Sequence, residues 1–174
     1  MNELNDAWSE MLKRAIDSAR AGGRHDVADY LELKATNDAA RQTATTWLID
    51  SMIEIAAARE NDPLGLTIDR NDPHNFSHLG ANLTGTRLSI RYGVRCLSIE
   101  GGWTRTPADG FMRGGAMAVA KFTHFGLPKE NEVFYLVPTE ALPIWKNAEA
   151  GRDASPLSIV DLRRHFGVLL SHNP

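Results

Sequence analysis

Residues Glu100–Gly126 hold the side chains best suited to ligand chemistry, in the sequence EGGWTRTPADGFMRGGAMAVAKFTHFG. About fourteen of these residues separate two predicted strands, which is longer than most connections in compact domains. Arg105 and Arg113 offer fork-shaped guanidinium donors that match carboxylate and phosphate groups. Backbone amides of glycines such as Gly114 can complete a cradle for an anion. We therefore predict a ligand-binding site in the loop at residues 101–115.

The remaining loop residues support two competing interpretations. In the first, Trp103 supplies an apolar contact to the ligand, and Thr106 and Asp109 add polar contacts beside the arginines. In the second, residues 107–110 form a tight turn, the arginines pair with Asp109 and Glu100, and the tryptophan is buried. The loop would then only connect two strands, although binding residues are often found on loops.

A His-Phe-Gly triplet occurs twice, at His124 and at His165. If the two triplets meet near the loop arginines, His124 is a candidate general acid or base, because imidazole has a pKa of about 6.5. Arg105 or Arg113 would then stabilise an anion in an enzyme of hydrolase or transferase type. The competing interpretation is that each Phe packs in the core and each His caps a carbonyl, since spacing fixes no partner carboxylate.

His74 and His78 are four residues apart, with Asp72 close by. On a helical turn two imidazoles and a carboxylate in this pattern could meet at a metal ion. Pro73 and the turn-rich residues around it argue against a regular helix. We therefore predict no metal and no cofactor.

Several enzyme classes have no sequence support. The chain lacks the glycine-rich nucleotide motifs, the His-Glu-x-x-His motif of zinc peptidases and the Gly-x-Ser-x-Gly motif of α/β-hydrolases. Its single cysteine, Cys96, excludes disulfide frameworks and zinc ribbons. Neither an apolar run long enough to span a membrane nor a secretory signal is present. We expect a cytoplasmic protein with no membrane partner.

The composition is that of an ordinary globular protein, with 43% hydrophobic residues, 24% charged residues and a net charge of −3. Charge is nevertheless uneven, since residues 87–121 carry six basic and two acidic side chains. A basic sheet face with aromatic side chains can bind RNA or single-stranded DNA. The net negative charge disfavours this alternative. The basic residues concerned include Arg87, Arg91, Arg95 and Lys121.

The loop must be positioned by the helices and strands around it. The first third of the chain has helical periodicity. Apolar spacing predicts helices over residues 3–21, over about 26–37 and over about 39–60. Gly22 and Gly23 are suited to end the first of these helices. We therefore predict three N-terminal helices.

The remainder of the chain has the patterns of strands. Around a Gly93-Val94 turn of type II′, the pattern over residues 87–100 predicts a hairpin with apolar residues on one face. Further strands are predicted over residues 64–69, 116–125 and 132–137, with a turn at Asn71-Asp72-Pro73. A capping box at Ser158 opens a terminal helix, whereas residues 139–145 are predicted as a connection with one helical turn.

Together these patterns predict an α+β fold, with three N-terminal helices packed on a mostly antiparallel sheet of about five strands and a C-terminal helix. We expect one domain over residues 1–174, with a helical segment at 1–60 and a sheet-rich segment at 61–174. The predicted function is a binding module for a small anionic ligand or a protein partner at residues 101–115. Homo-oligomerisation is a further expectation, with Trp145 as a candidate contact.

Overall fold

The computed structural model describes residues 3–151 and 154–171, which form three α-helices and six β-strands. The fold is α+β, as predicted, and all neighbouring strands are antiparallel in the order β1-β2-β3-β4-β5-β6. Among these residues, no helix has the length and apolarity that a bilayer crossing requires. The elements are α1 (Glu3–Ala21), α2 (His25–Ala56), β1 (Thr67–His78), β2 (Ala81–Tyr92), β3 (Arg95–Trp103), β4 (Ala118–His124), β5 (Glu132–Val137), β6 (Ile144–Asn147) and α3 (Ile159–Leu170).

The prediction of three N-terminal helices was wrong, because the second and third are one helix, α2. Asn37 and Asp38 have lower helix propensity than alanine, but each costs less than about 0.7 kcal/mol, and alanines surround them. The first helix ends as predicted. Gly23 has φ +72°, and the amide of Arg24 donates to the carbonyl of Ala19 at 2.9 Å.

The described chain divides into two compact units, one ending at residue 40 and one beginning at residue 41. The first unit consists of α1 and the start of α2. The second contains the rest of α2, the sheet and α3.

The predicted hairpin is confirmed in its register. Ile90 of β2 pairs with Leu97 of β3, and Arg87 pairs with Glu100. Gly93 in the turn has φ +58°, which the first central position of a type II′ turn requires.

Strand β1 is longer than predicted and includes the predicted turn at residues 71–73. Its register shifts between Asn71 and His74, so Pro73 lies in an irregularity of an edge strand. Proline has no amide hydrogen to give to a sheet and is tolerated at such positions. The turn signal was therefore real, but the strand continues through it.

The end of the sheet also differs from the prediction. Strand β5 has the predicted bounds, and β4 begins two residues later than predicted. The segment predicted to be a connection contains a sixth strand, β6, whose Trp145 pairs with Leu136 of β5. Four residues are too few to show the alternation that identifies a strand from sequence.

One face of the sheet, here called the covered face, packs against helices. Leu88 and Ile90 of β2 and Leu97 and Ile99 of β3 are fully buried there. The Trp145 indole donates to a carbonyl of α2 at 3.2 Å. Four buried side chains of α3 contribute to the second unit's core: Leu162, His165, Phe166 and Leu169.

The opposite face, here called the open face, carries alternate residues of the same strands. Its side chains are mostly half-buried and many are polar or charged. Residues of this face include His74, Phe76, His78, Arg87, Arg91, Glu100, Lys121 and Tyr135.

The tip of the β1–β2 hairpin curls over the open face. In a flat sheet, β1 and β5 would be separated by four strand spacings, or about 19 Å. Nevertheless His78 of β1 lies 2.9 Å from the hydroxyl of Tyr135 in β5. This curl brings side chains of distant strands together.

Two glycine positions make the curl possible. A Cβ added to Gly85 would stand 1.9 Å from the carbonyl oxygen of Gly101, a distance that no Cβ occupies. A Cβ on Gly102 would stand 2.9 Å from the ring of Phe76. Only glycine allows such close approach of backbone to backbone and of ring to backbone.

Candidate functional site

A small hollow lies where the hairpin tip meets the loop that follows β3. Its volume of about 10 Å³ is room for roughly one water molecule. Gly110 of the loop touches the hairpin tip, since a Cβ there would lie 3.2 Å from Ala81. The lining residues are His78, Leu79, Ala81, Leu83, Phe111, Met112, Arg113, Val119 and Tyr135.

Polar groups from three separate segments meet at this hollow. The Nε2 atom of His78 lies 2.9 Å from the Tyr135 hydroxyl, and the two rings meet edge to face. Arg113 comes from the loop and is exposed. Burial, followed by the nearby charges of Lys121 and Arg113, lowers the pKa of His78. Two cationic side chains, Arg113 and Lys121, therefore lie near enough to the hollow to act on His78.

The apolar part of the hollow has a buried floor and an exposed rim. Leu83 and Val119 form the floor and are almost fully buried. At the rim, Phe111 is 85% exposed and Leu79 is 56% exposed. Large apolar side chains held at the edge of a polar site are typical of contacts to an organic ligand.

Leu79 also has an unusual backbone conformation. Its φ of +47°, followed by φ +85° at Gly80, is the left-handed conformation of a tight hairpin turn. Asparagine or glycine normally occupies the first of these positions, because a leucine there is strained. Strain of this kind is often found at binding sites.

A second polar cluster lies next to the hollow on the open face. The Nε2 atom of His74 lies 2.7 Å from a carboxylate oxygen of Glu100, and Lys121 lies 3.6 Å from the other oxygen. The imidazole of His74 stacks on Phe76. Glu100 thus interacts with both His74 and Lys121.

The other predicted ligand residues of the loop stabilise the loop itself. Trp103 is 3% exposed, and the Arg105 guanidinium lies 3.7 Å above its ring and donates to the carbonyl of Thr84 at 3.0 Å. Thr106 and Asp109 form a capping box around a short 3-10 turn. Hydrogen bonds from Thr106 and from the backbone of Arg105 lower the pKa of Asp109. The structure thus separates Arg105 from Arg113, and Arg113 alone of the two lines the hollow.

Gly114, the last predicted ligand residue of the loop, has φ +66° and lies in the 3-10 turn Arg113–Gly115. Its conformation turns the chain just before β4. This turn carries Arg113 at its start and thereby places the guanidinium beside the hollow.

The two His-Phe-Gly triplets do meet, but away from the hollow. His124 Nε2 lies 2.9 Å from His165 Nδ1, and both rings are buried on the covered face. Gly102 pairs with Val119, whereas Leu97 pairs with His124, so His124 is five residues, or about 17 Å, along the sheet from the hollow. The structure therefore does not bring His124 together with Arg113.

The hydrogen bonds of the pair define its protonation. Arg164 lies 3.3 Å from His165 Nε2, and because a guanidinium only donates, this nitrogen accepts. His165 then carries its proton on Nδ1 and donates to His124. Burial above all, together with the charge of Arg164, lowers the pKa of His165 to about 4 and also lowers that of His124. Both imidazoles are neutral at pH 7.

The predicted basic residues are divided between the two faces. Arg87, Arg91 and Lys121 share the open face. Arg95 points to the other side, where it donates to the carbonyl of Val168 at the end of α3. The open face therefore contains three of the four basic residues predicted as candidates for nucleic-acid contacts.

The histidine pattern at residues 74 and 78 is part of β1 and not of a helix. Four residues of strand span about 13 Å, which is too far for a shared metal ion. His74 and His78 instead bond to Glu100 and Tyr135. Within the ranges that the structure describes, no group of three or more possible ligands is placed to hold a metal.

Sequence reasoning missed Tyr135 as a site residue and considered His78 only as a possible metal ligand. The segment EVFYLV predicts a strand, and nothing in this pattern marks the Tyr135 hydroxyl as a site group. His78 reaches the hollow only because the hairpin curls at glycines, which leaves no signal in local periodicity.

Comparison of the chain with protein-family models, with curated proteins and with solved structures gave no significant match.

Proposed function

We propose that this protein is a binding module for a small organic anion, a carboxylate or phosphate attached to an apolar group. The single observation that carries the proposal is the convergence of Arg113, His78 and the Tyr135 hydroxyl on one hollow with an apolar rim. These groups come from the loop, from β1 and from β5, so the fold brings together donors that the sequence separates.

The positive charges near the hollow favour the binding of an anion. Lys121 and Arg113 both act on His78 and lower its pKa. A bound anion opposes this effect and favours the imidazolium form, so binding and protonation of His78 strengthen each other. Affinity for an anion should therefore increase as the pH falls into the range in which His78 takes up its proton.

The small volume of the hollow favours a ligand that lies partly on the protein surface. The hollow takes about one water-sized group, so it suits the charged end of a ligand and not its whole body. Phe111 and Leu79 at the rim then contact the apolar part. Because little of such a ligand is buried, we expect weak affinity.

Titration with three probes tests the proposal: phenyl phosphate, inorganic phosphate and phenol. Binding would be measured by NMR, from the changes in the amide chemical shifts of Arg113, Tyr135 and the hairpin tip. We expect phenyl phosphate to bind best, inorganic phosphate more weakly and phenol least. Equal binding of phenol and phenyl phosphate would overturn the role of charge.

Matched arginine variants locate the binding. Arg113→Gln should weaken phenyl phosphate binding several-fold, because it removes the exposed guanidinium at the hollow. Arg91→Gln is the control, since Arg91 is exposed near the far end of the same face. Equal effects of the two variants would indicate general charge attraction and would refute the site.

A second candidate function is weak binding of single-stranded nucleic acid. It is favoured by the position of Arg87, Arg91 and Lys121 on one face. Binding of an oligonucleotide with a steep salt dependence, equally reduced by Arg91→Gln and Arg113→Gln, would support it over a small ligand.

A further inference from the structure

We infer that the first unit is a dimerisation element, in which the α1–α2 hairpin of one chain packs against that of a second copy to form a four-helix bundle. The unit lies outside the ligand site and is independent of the function proposed for it. The inference rests on an apolar groove between α1 and the start of α2, on its charges and on its size.

The hairpin has very little core of its own. Among the side chains that the structure describes in this unit, the buried hydrophobic residues are Ala19 and Ala28. Met11, a larger apolar side chain at the groove, stays in contact with water at 56% exposure. Two helices of this length gain most of their stability from packing an apolar face, so this face calls for a partner.

The groove offers a place for that partner. It encloses about 800 Å³ between the two helices. Leucine, methionine and alanine side chains form its walls, and the alanines allow a second helix to approach closely. The lining residues are Ser9, Met11, Leu12, Ala15, Leu31, Lys34, Ala35, Asp38 and Ala39.

The charges at the groove suit a second copy of the same chain. Lys34 and Asp38 lie one turn apart on α2, both at the groove. A twofold axis that crosses α2 between them sets each ammonium opposite the carboxylate of the other copy. Dimers of identical chains use such self-complementary surfaces.

The area available is near the lower limit for a specific dimer. Nineteen helical residues extend about 28 Å, and two helices side by side are about 20 Å wide. Each copy would therefore bury about 600 Å², compared with about 800 Å² in a standard interface. We expect a reversible dimer in the micromolar range.

Sedimentation of the full chain over a range of concentrations tests this inference. The expected result is a monomer–dimer equilibrium that Leu31→Glu shifts to monomer, because it places a charge in the groove. Val94→Glu is the control, since Val94 is 90% exposed at the turn between β2 and β3. Circular dichroism checks that each variant keeps its helices.

Charge reversal then tests the twofold arrangement. Lys34→Asp alone should weaken the dimer about tenfold or more, and adding Asp38→Lys should restore most of the affinity. A wild-type chain that stays monomeric at 100 µM (roughly one hundred times a micromolar Kd) would overturn the inference. A dimer that Leu31→Glu does not affect would overturn it too.

Discussion

Lowering the pH should destabilise the second unit through the buried pair His124–His165. In the folded chain the pKa of His165 is lowered from 6.5 to about 4, chiefly by burial. An unfolded chain binds the proton at a higher pH, so acid favours unfolding. The stabilisation by the neutral pair is complete above about pH 6.5 and is lost as the pH falls towards 4.

The size of the expected loss of stability follows from the lowered pKa of His165. At pH 5 the unfolded imidazole is mostly charged and the folded one mostly neutral, which costs about 2 kcal/mol relative to pH 8. For a chain of this size, that corresponds to a fall in Tm of about 4–8 °C. The pKa of His124 is lowered as well, which increases the effect.

Urea denaturation from pH 8 to pH 4.5, followed by the fluorescence of the buried Trp103 and Trp145, measures this loss. His165→Phe should reduce the pH dependence by at least half, since Phe122 and Phe134 already contact the ring at this position. His25→Gln, at an exposed position, is the control. A wild-type stability that is the same at pH 8 and pH 5 would refute the reasoning.

Three further substitutions test the fold by their effect on the free energy of unfolding, measured with urea. Gly85→Ala should cost more than about 2 kcal/mol, because its Cβ meets the Gly101 carbonyl, whereas Gly167→Ala in α3, with open space around it, should stabilise by up to about 1 kcal/mol; equal effects would contradict the close approach. Leu79→Asn should stabilise by about 1 kcal/mol by relieving the positive φ, and a loss would show that the leucine contributes more than its strain costs. Ser158→Ala should cost about 1 kcal/mol by removing the cap of α3, and no change would exclude that role.

The sequence predicted correctly those elements that are determined by a pattern of a few neighbouring residues. The hairpin register around Gly93 followed from alternation, and the start of α3 followed from the capping box at Ser158. Strand β5 was equally clear, since β-branched and aromatic residues end at a proline. The break predicted between residues 37 and 39 and the turn predicted at Pro73 both lie inside an element, and the chain continues through them.

The candidate site could be predicted only in part. The structure places Arg113 of the predicted loop at the hollow, but the sequence gives no means of telling that Arg105 packs on Trp103 instead. His78 and Tyr135 lie 57 residues apart in the chain. Their meeting depends on the bending of β2 at Gly85, which is a property of the tertiary structure.

The two edge strands of the sheet affect the tendency of the protein to aggregate in concentrated solution. The sheet ends in β1 on one side and in β6 on the other, and unpaired strand edges are where chains join into fibrils. Pro73 and the register shift interrupt the hydrogen-bonding row of β1, and β6 offers only four residues. Replacement of Pro73 by a β-branched residue such as valine would therefore expose a template for amyloid-like growth, whatever its effect on the folded state.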